Sequence, residues 1–177
     1  DISREEMDEV ALRSHNNAER ANNDGSFKDE IAPMTLSSKG GTVVFDRDEH
    51  FRPGLTMERL EKLPPAFIPD IGKVTAGNSS GINDGAAGLV IMSARKADEL
   101  GVEPIAKIKA IGRGGCHPSI LGLSPIPAVE DLSKRSGLTI PDFELVELNE
   151  AFAAQYLGCE KQMGLNREIT KDRKSVV

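Results

Sequence analysis

Three groups of residues in this sequence have the type and spacing to do chemistry. The first is Val146-Glu-Leu-Asn-Glu-Ala-Phe152, which reads as a strand running into a helix that opens at Asn149. Asn149 is a good N-cap residue. The ends of strands beside helix N-termini are also where α/β proteins place ligand-binding groups. Glu150 is then either a favourable first-turn charge or an acid–base candidate. The second group is Gly77-Asn-Ser-Ser-Gly81 with Asn83, Asp84 and Gly85. Its glycines would let backbone approach a ligand closely, with N–H groups free to face an anion or a carbonyl. It lacks the Lys-Ser/Thr of a P-loop and the dinucleotide spacing, and one carboxylate is too few for a calcium cage. The third group is the cysteines. Cys116 precedes His117 in an extended stretch, where neighbouring side chains point apart and one cannot readily activate the other. Cys159 reads as a packed mid-helix thiol.

The elements that must position these groups follow from pattern. Ser3-Arg-Glu-Glu6 is a capping box. Met7, Val10, Ala11, Ala18 and Ala21 follow at helical spacing, and Asn23-Asp-Gly25 supplies the stop. Thr42–Phe45 is strand-prone, and Thr56–Leu63 predicts a short helix before Pro64-Pro65. Ala86–Met92 predicts a buried strand, and Ser93 to Gly101 an amphipathic helix with cap and stop. Ile105–Ile111 alternates like a half-exposed strand. Pro125–Ser136 predicts a helix, Phe143–Leu148 a strand, and Asn149 to Gly164 a final helix. Strand–helix alternation over 86–164 implies an α/β fold with a sheet covered by helices, and the first 70 or so residues look like an irregular appendage.

Composition narrows the partners. The 177 residues carry a net charge of −6, which gives no electrostatic reason to expect nucleic acid or an anionic membrane. No apolar run approaches a membrane-crossing length, and the N-terminus is unlike a signal peptide. The two cysteines lack metal-ligand spacing and suit a reducing, cytoplasmic setting, and no metal site is expected.

Two segments taken together, VTAGNSSGINDGAAGLVIMS (74–93) and ELVELNEAFAAQ (144–155), resemble signatures of the thiolase family. LGLSPIPA (121–128) resembles that family's Gly-x-Gly-Pro-x-Pro-Ala turn, with Ser124 where the second Gly would stand. Gly25-Ser-Phe-Lys-Asp-Glu-Ile31, Arg52 with Gly54, and Pro65-Ala-Phe67 also match in order, so the likeness covers about residues 2–170.

The resemblance implies an enzyme that condenses two acetyl-CoA to acetoacetyl-CoA, or cleaves 3-ketoacyl-CoA, through an acyl-cysteine. Coenzyme A would be substrate and product, with no permanently bound cofactor. By residue-wise match, Asn149 would hold the water of an oxyanion hole. Ser80 would meet the pantetheine amides, Phe67 would border the coenzyme and Arg52 would lie at its nucleotide end. Leu121 and Phe152 would line the reacting end. The implied layout is 1–82 as the rear of a coenzyme-covering loop domain, 83–102 as the end of one core half, 103–170 as the start of the next, and 171–177 as a non-family tail. The family's nucleophilic Cys would belong upstream and its Gly-His-Pro histidine and second Cys downstream. No turnover is therefore expected from this chain alone, exposed apolar surface is expected, and the full-length parent would be a homodimer or homotetramer. A thiolase-like protein that binds acyl-CoA or lipid without condensing it, and a purely structural interaction domain, are the alternatives.

Overall fold

The capping box at Ser3 forms as its spacing predicts. Ser3 Oγ accepts from the Glu6 amide at 3.0 Å, and Glu6 Oε2 accepts from the Ser3 amide at 2.7 Å. These bonds start α1, Arg4–Asn23, which turns Met7, Asp8, Val10, Ala11, Ser14 and His15 inward. The helix stops where the Asp24 amide bonds Arg20 O and Gly25 takes a positive φ of 79°. The structure, a computed structural model, describes residues 1–171, so the side chain of Lys171 and residues 172–177, where the tail was expected, lie outside it. The chain divides into two units. Asp1–Gly81 with the described residues from Phe143 onward form the first, and Ile82–Asp142 the second.

In the first unit α1 is followed by a hairpin of β1 (Met34–Ser38) and β2 (Gly41–Phe45), then by α2 (Met57–Glu61). The hairpin pairs antiparallel from Met34↔Phe45 to Ser38↔Gly41 and is exposed along its length. The unit's core is the seam between α1 and α5 (Ala153–Met163), where Met7, Val10 and Ala11 meet Ala153, Tyr156 and Leu157. Arg13 spans the seam, its guanidinium 5.7 Å from the centre of the Tyr156 ring. Burial pushes the Tyr156 phenol above its usual range. Glu160 on α5 is held by Arg167 through a pair of bonds of 2.5 and 2.7 Å. From the next residue along α5, Lys161 Nζ reaches Glu6 Oε1 at 2.5 Å.

That last pair makes α1–α5 packing sensitive to acid. The Lys161 hydrogen bond, followed by the capping bond from Ser3, lowers the Glu6 carboxyl from 4.5 to about 2. A folded-state value below the unfolded one stabilises fully above about pH 4.5 and is lost as pH falls towards about 2. Lys161→Ala is expected to melt below the parent at neutral pH, with the gap closing near the acid end. A gap that stays constant across a thermal-melt series at falling pH would refute this.

In the second unit α3 (Ala94–Leu100) is capped by Ser93 Oγ, which accepts from the Lys96 amide at 3.2 Å, and Gly101 ends it at φ 62°. α4 spans Pro125–Ser136, as its pattern predicts. The run at Gly112 to Gly114 lies flat against the start of α4. A Cβ at Gly112 would strike the Ala128 carbonyl, and one at Gly114 the Ala128 amide. Asp131 of α4 accepts from the Arg113 amide at 2.9 Å, which holds its carboxyl below the usual range.

Two expected strands do not form. Ala86–Met92 has no regular structure, and Leu89, Val90 and Ile91 are exposed. Ile105–Ile111 is likewise unpaired, with Ile105, Ile108 and Ile111 exposed. A strand exists only through a partner ladder, and the described residues offer these two apolar runs none. The Phe143–Leu148 strand shrinks to β3, Val146–Glu147, paired parallel with β4, Thr170–Lys171. The α/β class stands, with the sheet reduced among the described residues to two two-stranded pieces. No helix among them is long and apolar enough to cross a membrane.

Candidate functional site

The glycine-rich loop closes over α1 and α2 in the first unit. Thr75 and Asn78 are fully buried. Asn78 Oδ1 accepts from the Thr75 amide at 2.8 Å, which holds the turn in one shape. Gly77 and Gly81 are there for closeness. A Cβ on Gly77 would come within 2.5 Å of a Leu60 methyl, and one on Gly81 within 2.5 Å of the His50 ring.

The loop then pairs with the second signature segment. Ser79 bridges Phe152 in antiparallel fashion, the Ser80 amide donates to Ala151 O at 3.0 Å, and the Ala153 amide donates to Asn78 O at 3.1 Å. This pairing corrects the reading of Asn149 as a helix cap. Residues up to Phe152 stay extended to pair with the loop, so α5 starts only at Ala153, with Phe152 as its N-cap at φ −144°. Asn149 is exposed upstream of the helix, while Glu150, also outside the first turn, is buried.

Beside the paired loop lies a cleft of about 720 Å³, whose lining includes His15, His50, Arg52, Arg59, Ser79 and Ser80. α1 holds its far wall. His15 Nδ1 accepts from the Arg52 amide at 3.1 Å, and Glu19 Oε2 accepts from the Gly54 amide at 3.0 Å. Because Nδ1 accepts, the proton of neutral His15 sits on Nε2. Arg59 Nη1 donates to Gly54 O at 3.3 Å, so a second guanidinium is anchored to the same turn. Two guanidiniums, two imidazoles and two hydroxyls, offset only by Glu49, suit a ligand with anionic and amide-like parts.

Of the residues singled out from sequence, Arg52 and Ser80 meet in this cleft. Phe67 is exposed next to the lining residue Ala66, and Phe152 is half-buried on the paired strand. Leu121 belongs to the second unit, in a 3-10 turn over Pro118–Leu123, and is exposed. Ser124 donates to Leu121 O at 2.7 Å and lies 3.2 Å from Cys116 Sγ. His117 turns to Ser119, 2.8 Å away, while the Cys116 thiol donates to Ile120 O at 3.1 Å. Cys159 is fully buried. His15, His50 and Arg59 were missed. His15 left a signal: it stands four residues beyond Ala11, a polar side chain on the inward stripe of α1.

Comparison with known proteins identifies the family. Residues 1–95 match the family model for the thiolase N-terminal domain, and residues 102–173 that for the thiolase C-terminal domain. The chain belongs to the thiolase family. It is 50% identical over 170 residues to the acetyl-CoA acetyltransferase of Syntrophomonas wolfei, covering 96% of this chain and 42% of that protein. The crystal structure of the Bacillus anthracis acetyl-CoA acetyltransferase superposes with a TM-score of 0.91 at 47% identity, over 99% of this chain and 44% of that one. The human mitochondrial 3-ketoacyl-CoA thiolase in complex with CoA superposes with a TM-score of 0.86 at 43% identity, over 99% of this chain and 43% of that one. This thiolase chain thus spans less than half the length of the relatives it matches. Its α/β class is that of the solved thiolases.

Proposed function

We propose that the cleft of the first unit is one wall of a coenzyme A site, in a thiolase that condenses two acetyl-CoA or cleaves 3-ketoacyl-CoA through an acyl-cysteine. The observation that carries this is the meeting of Arg52 and Ser80, far apart in sequence, in a single cleft beside the paired loop. The charge fits the ligand: a nucleotide end bearing phosphates suits Arg52 and Arg59, and pantetheine amides suit the hydroxyl of Ser80. Phe67 would border the coenzyme, and Phe152 would face its reacting end.

Asn149 would hold the water that donates to a carbonyl oxygen as it gains charge, the preorganised stabilisation that acyl and enolate chemistry needs. The acyl-accepting thiolate would be neither Cys116 nor Cys159. Cys159 is closed off, and Cys116 hydrogen-bonds to a carbonyl without contacting the neighbouring histidine. This chain would then supply binding and charge stabilisation and no turnover by itself. On the same reading, 1–82 is the rear of the coenzyme-covering domain, 83–102 and 103–170 are parts of the two core halves, the parent is a cytoplasmic homo-oligomer, and coenzyme A comes and goes as substrate.

Titration of the chain with coenzyme A, followed by amide NMR shifts, tests the proposal. Saturable shifts centred on Arg52, Ser80 and Gly81 are expected. Absence of binding, or shifts confined to the second unit, would overturn it.

A further inference from the structure

Asp8 lies fully enclosed on the inward face of α1. Its Oδ2 accepts from Arg4 Nε at 2.6 Å and its Oδ1 from Asn78 Nδ2 at 2.8 Å. Arg4 extends the connection, with Nη2 donating to Leu60 O at 2.6 Å and to Leu63 O at 3.1 Å. Asn78 also donates to Lys73 O at 3.1 Å, accepts from the Thr75 amide, and offers its carbonyl to the Ala153 amide. One carboxylate therefore ties together α1, the end of α2, the loop and the start of α5. Gly77 sits under Leu60 and Leu63, so the loop cannot slide without moving the segment Arg4 grips. Ser79 and Ser80 follow Asn78 directly and line the cleft.

We propose that Asp8 is a positioning residue for the cleft: acting through Asn78, it fixes where Ser80 stands. The consequence for coenzyme binding rests on the reading of the cleft given above, whereas the positioning itself does not. Two donors converge on Asp8 from opposite sides, and a carboxylate can accept both. Asp8→Asn leaves one acceptor and turns an amide NH₂ towards either the Arg4 guanidinium or the Asn78 NH₂. Combining it with Asn78→Asp reverses the pair. The new amide can accept from Arg4 and donate to the new carboxylate, which still accepts from the Thr75 amide. Only the Lys73 carbonyl loses its donor.

Hydrogen exchange of the Ser80 and Ala153 amides, referenced to amides of the last two turns of α5, decides between positioning and plain stability. In Asp8→Asn both of these amides are expected to exchange about tenfold faster relative to the last two turns of α5, the size of losing one charged hydrogen bond. Coenzyme A affinity should fall by a similar factor. The double exchange should bring both readouts back to within about threefold of the parent. If the single variant fails to fold, a folded double variant with protected Ser80 supports the proposal. A uniform acceleration across all amides, or a double variant as open as the single one, overturns it. Should the parent bind no coenzyme A, the coenzyme reading fails, and the exchange pattern alone upholds or overturns the role of Asp8.

Discussion

Tyr156→Ala is expected to unfold the first unit at denaturant concentrations the parent tolerates, or to leave it unfolded in buffer. The ring is fully buried between α1 and α5, in the cluster with Met7, Val10 and Ala11. Emptying that volume costs about 3–5 kcal/mol for an aromatic truncated to alanine. Small domains hold only about 5–15 kcal/mol in total. The ring, and not the hydroxyl, decides the size of the effect. Both hydroxyl bonds, from Arg13 and to Glu160, are long at 3.4 Å, so each contributes at most about 1 kcal/mol. Tyr156→Phe should therefore shift a urea midpoint slightly and Tyr156→Ala by a large step. Equal shifts for the two variants would show that the seam is not the core.

Arg52→Glu is expected to weaken coenzyme A binding by on the order of 100-fold, since a charge-assisted bond to phosphate contributes about 1.5–3 kcal/mol and the new carboxylate also repels the ligand. The geometry makes this a clean test. Arg52 holds the wall through its backbone amide, bonded to His15, and that amide survives the substitution. The Arg52 side chain is exposed. Thermal stability should therefore change little while calorimetric affinity collapses, and the parent's affinity should fall as salt is raised. An affinity loss smaller than about threefold would remove Arg52 from the site.

Local signals in the sequence were read well because they depend on neighbours in the chain. The capping box at Ser3, the stop at Gly25, the cap at Ser93 and the span of α4 rest on bonds within a few residues. Strands at 86–92 and 105–111 were misread because residue type reports a readiness to pair and not the presence of a partner. The start of α5 was misread for the complementary reason: the partner of residues 151–153 is the loop at 78–80, which lies far off in sequence. The same distance hid the cleft. Arg52 and Ser80 are legible through resemblance and His15 by its place on the inward stripe of α1, whereas Arg59 becomes visible only when α2 lies beside the 50–54 turn. Asp8 gave no hint, since an acid beside Met7 in a charged helix start reads as surface.

The bridge from Ser79 to Phe152 also has a kinetic meaning. It closes a loop of roughly 70 residues, and everything in the second unit lies inside it. Closure of so long a loop is entropically unfavourable before any local packing repays it, so this contact should form late in folding, after α1 and α2 have docked. The cleft would then be the last part of the first unit to assemble and, on unfolding, among the first to open.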